Sequence, residues 1–209
     1  MISIKDLRNL KINKNLTYKN ELLRKFIHVF DSIIPLSLFV LSRENLIKII
    51  VPVTILFILM DFSSHHIKSI QNIYLFFFDR ITRNIEKTKN VFTGATYYLL
   101  GCLFVIIFFD DKSIIMASLL IMSISDSFAA IIGIKFGQTK IYKNKSLEGS
   151  FAFFITAFII LVFFVPDLKL IFSVLIAFIV TLIELFSFHS LNDNITIPVF
   201  SSILIQLLL

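Results

Sequence analysis

Seven apolar stretches recur along this chain, and each approaches the roughly 17–25 residues that an α-helix needs to cross a bilayer. Hydrophobic residues make up 57% of the 209 residues, including 25 phenylalanines. A soluble domain is nearer roughly 45–50% apolar and could not cover this much hydrocarbon. The sequence therefore predicts an all-α, polytopic transmembrane bundle of about seven spans, over 26–42, 46–61, 92–109, 113–134, 150–166, 169–188 and 195–209.

The segment between the second and third stretches has a different pattern. Over 70–85, apolar residues recur at i, i+3, i+4 and i+7 spacing with polar residues between them. This pattern fits an amphipathic helix on the membrane surface, and equally a packed loop helix. We find no repeat or linker, so 1–209 is predicted to be one domain with a basic tail over 1–23. We expect no cleaved signal peptide, and a packing role for the single Cys102.

The basic residues predict how the bundle sits in the membrane. With seven spans, sixteen of the twenty Lys and Arg residues fall on one side, in the N-terminal tail and in segments 62–91 and 135–149. Because cytoplasmic loops are enriched in Lys and Arg, the basic side is predicted to be cytoplasmic. The net charge of +6 is then explained by topology, and we expect no nucleic-acid partner.

Ionisable residues inside the spans are costly and therefore mark candidate functional positions. In "ELLRKFIHVFD", Arg24, His28 and Asp31 fall at i, i+4 and i+7, on one helix face. A simpler interpretation, with about equal support, makes Arg24 and Lys25 topology anchors. In "SDSFAAIIGIKFG", Asp126 shares a face with Gly133 and Gly137. Small residues explain close packing, but they do not explain a carboxylate.

Two further groups lie toward the same predicted face. "KNKSLEGS" brings basic, hydroxyl and glycine residues to a span entrance, where backbone amides near a helix N-terminus suit phosphate. Its candidate residues are Lys145, Ser146, Glu148, Gly149 and Ser150. Near the end of the sixth span stands Glu184, followed by Asp193 and Asn194 in a polar turn. Capping explains the turn but not Glu184.

Together these groups have the chemistry of a magnesium–polyphosphate site. Carboxylates hold a hard cation, Lys and Arg neutralise phosphate oxygens, and glycine lets the backbone approach them. We expect Asp126, Glu184 and Asp193 to bind Mg²⁺, although one of them could instead accept a proton from the substrate. Transporters also use buried carboxylates, but their sites usually lie at the midplane.

Five pieces of the chain carry a family resemblance: "RKFIH" (24–28), "TGATYYLLG" (93–101), "SDSFAAIIGIKFG" (125–137), "KSLEGS" (145–150), and Glu184 with "DNITIP" (193–198). In order and spacing the chain resembles the dolichol kinase, phytol kinase and CTP-dependent diacylglycerol kinase family. The resemblance implies transfer of the γ-phosphate of CTP, or another nucleoside triphosphate, to a membrane lipid alcohol.

The resemblance also implies roles for particular residues. Its nucleotide and phosphate residues would be Arg24, Lys25, His28, Lys145, Ser146, Glu148, Gly149, Ser150 and Asn194. Its close-approach backbone positions would be Thr93, Gly94, Gly133 and Gly137. A phosphatidate cytidylyltransferase has a related acidic motif, but this chain lacks the glycine- and histidine-containing C-terminal signature of those enzymes. A small membrane transporter is the alternative from another functional class.

Overall fold

The computed structural model of the protein describes residues 19–67, 72, 92–143, 145–186 and 192–209. These residues are helical apart from turns and one short hairpin. The helices are α1 (19–30), α2 (Ile33–Leu36), α3 (Arg43–His66), α4 (Gly94–Phe108), α5 (Lys112–Phe136), α6 (Leu147–Phe164), α7 (Leu170–Phe186) and α8 (Asp193–Leu208). The predicted helix over 70–85, apart from residue 72, and the tail up to residue 18 lie outside the described residues.

Three of these helices, α3, α5 and α6, are long and apolar enough to cross a membrane, and α4, α7 and α8 are shorter apolar helices. The prediction of an apolar helical chain is confirmed, while the seven-span arrangement stays a prediction. Helix α5 is the central element, because 78% of its apolar window is buried, against 22% for α3 and 33% for α6. Cys102 of α4 is fully buried against the same core, as a packing residue would be.

The first predicted span, 26–42, is not one helix. Helix α1 ends at residue 30, a turn follows, and α2 is succeeded by the 3-10 helix Ser37–Phe39. Pro35 is the physical reason, because it has no N–H to donate to the carbonyl of Asp31, four residues earlier, and its ring crowds that carbonyl. The Asp31 carbonyl instead accepts hydrogen bonds from the Ile34 amide at 3.0 Å and from the Tyr98 hydroxyl at 2.9 Å.

A small hairpin joins α5 to α6, which the all-α prediction did not include. Strands β1 (Lys140–Tyr142) and β2 (Lys145–Ser146) pair antiparallel, with Tyr142 opposite Lys145. At the turn, Lys143 has a φ of 50°, in the left-handed region that tight turns use. The hairpin sets the position of Lys145 immediately before α6 begins.

Candidate active site

A cavity of about 420 Å³ lies where one end of several helices converges. The start of α1, the second half of α5, the start of α6, the end of α7 and the start of α8 all contribute to its wall. The charged lining residues are Glu21, Arg24, Lys25, Asp126, Lys145, Glu184 and Asp193. The remaining lining residues are Ala129, Ala130, Gly133, Ile134, Ser146, Gly149 and Ser150. Most of the residues predicted for the site therefore meet in one place.

The first charged cluster joins α1 to α5. The Lys25 ammonium forms a buried ion pair and hydrogen bond with the Asp126 carboxylate. Nε2 of His28 lies 3.8 Å from the same carboxylate oxygen, and Nδ1 of His28 is 3.1 Å from Asp31. The side chains of Lys25 and Asp126 are only 8% and 12% exposed. A buried ion pair of this kind is costly unless both charges are compensated, so the pairing explains how Asp126 is tolerated inside an apolar helix.

Asp126 follows a change in helical register. Residues Ile121–Ser125 form a π-helical turn within α5, directly before Asp126. A π turn shifts the following side chains around the helix axis, and such turns are frequent at functional sites. On the far side of this turn, Asp126 contacts Lys25, and the Ser127 hydroxyl, which donates to the Ser123 carbonyl at 2.6 Å, also lies 3.3 Å from the Lys25 carbonyl. Helix α1 is thus attached to α5 through polar contacts.

The second charged cluster is centred on Lys145. Its ammonium lies 2.8 Å from Oε1 of Glu184 and 3.5 Å from Oδ2 of Asp193, and it also donates to the Glu184 carbonyl. The hairpin, the end of α7 and the start of α8 therefore meet at one cation. Glu184 is 5% exposed, so Lys145 supplies the positive charge that this buried carboxylate requires.

Glycines allow α5 and α6 to cross closely beneath the cavity. A methyl group added at Gly149 would lie 2.8 Å from the Ala129 carbonyl oxygen and 3.2 Å from the Cα of Gly133. The Ser146 hydroxyl caps α6 by accepting from the Gly149 amide at 3.2 Å. The crossing therefore brings the N-terminus of α6, which favours anions, against the Asp126 segment of α5.

Several predicted residues have contacts elsewhere. The Glu148 carboxylate turns away from the cavity and accepts from the Thr139 amide at 3.1 Å. The Asn194 side chain donates to the Gly94 carbonyl at 2.8 Å, so it connects α8 to α4. Thr93 caps α4. The cavity is not lined by any of the four predicted residues Thr93, Gly94, Glu148 and Asn194. Gly137 packs on Ser146 at the edge of the cavity.

Sequence reasoning missed a third buried carboxylate, Asp61 of α3, which is 1% exposed. It accepts hydrogen bonds from the Thr93 amide at 2.7 Å, the Thr93 hydroxyl at 3.0 Å and the Thr96 hydroxyl at 2.7 Å. The signal was an acid at the edge of an apolar run, paired with the threonines of "TGATYYLLG". Glu21, Ala129 and Ile134 were also missed, because only the folded arrangement brings them to the cavity.

The carboxylates of the second cluster fit a magnesium ion held jointly with phosphate. Within the described ranges, no three histidine, cysteine or acidic side chains form a preformed metal cage. Mg²⁺ nevertheless is usually bound by one or two carboxylates together with substrate phosphates. Glu184 and Asp193 lie 2.8 Å and 3.5 Å from the Lys145 ammonium, so two carboxylates converge on one part of the cavity wall. The donor set is therefore suitable once a phosphate is present.

Comparison with known proteins identifies relatives across most of the chain. An uncharacterized protein of Rickettsia prowazekii is 30% identical over 182 residues, which cover 84% of this chain and 88% of the relative. The CTP-dependent diacylglycerol kinase 1 of Eremothecium gossypii is 29% identical over 215 residues, covering 88% of this chain and 66% of that protein. A probable chloroplastic phytol kinase of Triticum aestivum is 38% identical over 77 residues, covering 35% and 26%.

No family model matches the chain, and no solved structure matches it significantly. The relatives nevertheless agree with the resemblance that the sequence motifs indicated, which is thereby confirmed. The chain belongs to the polyprenol kinase family, the group that includes the phytol kinases and the CTP-dependent diacylglycerol kinases.

Proposed function

We propose that this protein is an integral membrane lipid kinase that transfers the γ-phosphate of CTP, or of another nucleoside triphosphate, to the hydroxyl group of a membrane lipid alcohol. The acceptor class is an isoprenoid alcohol such as phytol, a polyprenol or dolichol, or diacylglycerol. One observation carries the proposal: a cavity at the end of an apolar helical bundle is lined by two lysines, Lys25 and Lys145, and by four carboxylates that include Asp126, Glu184 and Asp193. The kinase names of the relatives support the reaction type.

The basic residues have the arrangement that a triphosphate requires. Lys25 and Lys145 line the cavity from separate ion-paired clusters, and Arg24 lines it as well. Each lysine is paired with a carboxylate. A bound triphosphate would therefore share the positive charge of each ammonium group with that carboxylate. Phosphoryl transfer depends on positioning and on neutralisation of phosphate oxygens, which these residues supply.

Glu184 and Asp193 are the residues that would hold Mg²⁺. When bound there with the nucleotide, the ion would neutralise charge that develops on the β- and γ-phosphate oxygens. Ser146 and Ser150, which line the same wall, offer hydroxyl groups to phosphate oxygens. Among the described residues, the Ser150 hydroxyl has no hydrogen-bond partner, although Ser150 is 8% exposed.

The transfer itself needs a route for one proton. The acceptor hydroxyl oxygen forms a bond to the γ-phosphorus, the bond from that phosphorus to the β–γ bridging oxygen breaks, and the nucleoside diphosphate leaves. We assign the hydroxyl proton to Asp126, which lines the cavity together with Ala129 and Ala130. An alcohol whose chain lies among the helices would present its hydroxyl to these residues.

We further propose that the protein spans the membrane several times with the cavity toward the cytoplasm, where nucleotide is available. The basis is the excess of Lys and Arg in the segments that carry the cavity. Single cysteines placed at 112 and 143 in intact cells test the orientation, because native Cys102 is fully buried. An impermeant reagent should reach position 112 and miss position 143, and the reverse pattern would contradict the proposed orientation.

Two parallel incubations test the reaction class. Membranes with Mg²⁺ and a mixture of lipid alcohols receive either γ-labelled or α-labelled CTP. A kinase labels lipid only from the γ position, and labelling should be lost in Asp126→Asn. Lipid labelling from the α position would replace the proposal with a cytidylyltransferase. No labelling from CTP, ATP or UTP across isoprenoid alcohols and diacylglycerol would contradict the kinase proposal and favour transport.

A further inference from the structure

The buried carboxylate of Asp61 is not part of the cavity, yet its surroundings connect it to the cavity wall. Thr93 already caps α4 with its own hydroxyl, which accepts from the Thr96 amide at 3.4 Å. Asp61 is therefore not needed as an ordinary cap. It accepts three hydrogen bonds from Thr93 and Thr96, and in the described part of the chain no basic side chain pairs with it.

Asp61 fixes the start of α4 through these hydrogen bonds. The start of α4 in turn contacts the start of α8. The Asn194 side chain donates to the carbonyl of Gly94, the residue that follows Thr93. Two turns further along α4, the backbone of Asn194 lies against Gly101 so closely that a methyl group there would collide with the Asn194 carbonyl oxygen. The first turn of α8 is thus fixed to α4 at two points.

Asp193 is the residue before Asn194, and it lines the cavity 3.5 Å from the Lys145 ammonium. A continuous series of contacts therefore runs from Asp61 through Thr93 and Asn194 to Asp193. We infer that Asp61 is a positioning residue, which fixes α4 so that Asp193 is held at the correct distance from Lys145. This inference rests on the proposed function, because it assigns a further residue to the same site.

The variant Asp61→Asn tests the inference. An amide keeps one acceptor oxygen, but without the negative charge its hydrogen bonds to the three donors are weaker. Misplacement of a site residue by about 1 Å can cost about 100-fold in rate. We expect kcat/KM for Mg·CTP to fall about 10-fold in Asp61→Asn and about 100-fold in Asp61→Leu, with the KM for the lipid unchanged. Thr54→Val is the matched control, since it removes a buried hydrogen bond within the same helix, 2.7 Å to the Ile50 carbonyl.

A double-mutant cycle separates positioning from general destabilisation. If Asp61 acts through Asp193, adding Asp61→Asn to Asp193→Asn should lower kcat/KM no further, whereas independent effects would multiply. Multiplicative effects, or an equal loss in Thr54→Val, would overturn the inference.

Hydrogen exchange measured by mass spectrometry gives a readout that needs no activity. In Asp61→Asn, amides of 93–96 and of 192–196 should exchange faster together, while Thr54→Val should leave both slow. Faster exchange at 93–96 alone would overturn the inference even if the kinase proposal stands. Coupled exchange in a protein that transfers no phosphate would retain the link to Asp193 and reject only the proposed function.

Discussion

The two ends of the helical bundle both carry basic side chains, but they use them differently. At the end opposite the cavity, Arg43 donates to the carbonyls of Ile106 and Ile107, both at 2.7 Å, and pairs with Asp110, whose side chain is 90% exposed. Lys112 donates to the Leu38 carbonyl at 3.2 Å. These cations satisfy carbonyls at the ends of helical segments, as capping residues do.

At the cavity end, the lysines bind carboxylates that come from distant parts of the chain. Lys25 pairs with Asp126 across 101 residues, and Lys145 contacts Glu184 across 39. Lys145 also binds a helix-end carbonyl, so capping alone does not distinguish the ends. The difference is the buried acid: an ionisable residue inside an apolar helix is costly and marks a candidate functional position. Buried, long-range Lys–carboxylate pairs therefore indicate the candidate site better than positive charge does.

The largest difference in activity between the two ends should come from replacing one acidic residue at each end. Asp126→Asn keeps the size of the side chain but loses the charge that pairs with Lys25. Loss of a catalytic base or metal ligand should lower kcat about 100- to 10,000-fold. Transfer of γ-label to lipid by purified protein in micelles measures the loss. Asp110→Asn is the control and should stay within about twofold of the original rate; near-normal turnover in Asp126→Asn would reduce Asp126 to a packing residue.

A smaller effect is expected from removing one cation at each end. Lys145→Ala should weaken Mg·CTP binding roughly 10- to 100-fold, because a hydrogen bond to a charged group contributes about 1.5–3 kcal/mol. Lys112→Ala should leave the apparent affinity unchanged, since Lys112 contacts only carbonyls in the described part of the chain. Equal affinities in the two variants would remove Lys145 from the phosphate site. Titration with a non-hydrolysable CTP analogue provides the comparison.

The helix crossing beneath the cavity offers a third test. Gly149→Ala adds a methyl group 2.8 Å from the Ala129 carbonyl oxygen, and overpacking of this kind costs about 1–3 kcal/mol. We expect a lower thermal midpoint in detergent and reduced activity. Phe151→Leu, at a 63% exposed position of the same helix, should change neither. An unchanged midpoint in Gly149→Ala would show that the crossing can relax and that close approach is not required.

The smallest catalytic effect should come from the cap at the opposite end. Arg43→Ala removes two hydrogen bonds to the last carbonyls of α4, so the free energy of unfolding should fall by about 1–2 kcal/mol. The activity per folded molecule should not change, because the cavity lies at the other end. Unfolding in detergent and turnover at limiting protein are the measurements. A selective loss of turnover at unchanged stability would mean that the two ends are coupled.

The sequence predicted the helices well where a long apolar run decides the matter. Helix α5 begins within one residue of its predicted span, 113–134, and extends two residues beyond it. The prediction of one helix over 26–42 was wrong, because Pro35 interrupts an apolar run whose hydropathy alone suggested a continuous helix. The hairpin before α6 was also missed, since its strands are too short to give an alternating pattern.

The candidate site shows a similar division. An acid inside an apolar run is visible in the sequence, so Asp126 and Glu184 could be identified from the sequence. The partner of Asp126 cannot be read from the sequence. Its pairing with Lys25 depends on how α1 packs on α5 and on the π turn that changes the helical register. Glu148 and Asn194 illustrate the reverse error: their motif neighbours line the cavity, while their own side chains point to Thr139 and Gly94.

An experimental structure with Mg²⁺ and a non-hydrolysable CTP analogue tests the central claim most directly, namely that the cavity is the phosphoryl-transfer site. The account predicts the triphosphate between Lys25 and Lys145, with the metal ion on Glu184 and Asp193 and the γ-phosphate facing Asp126. A triphosphate bound away from both lysines, or at the end that carries Arg43 and Lys112, would contradict it.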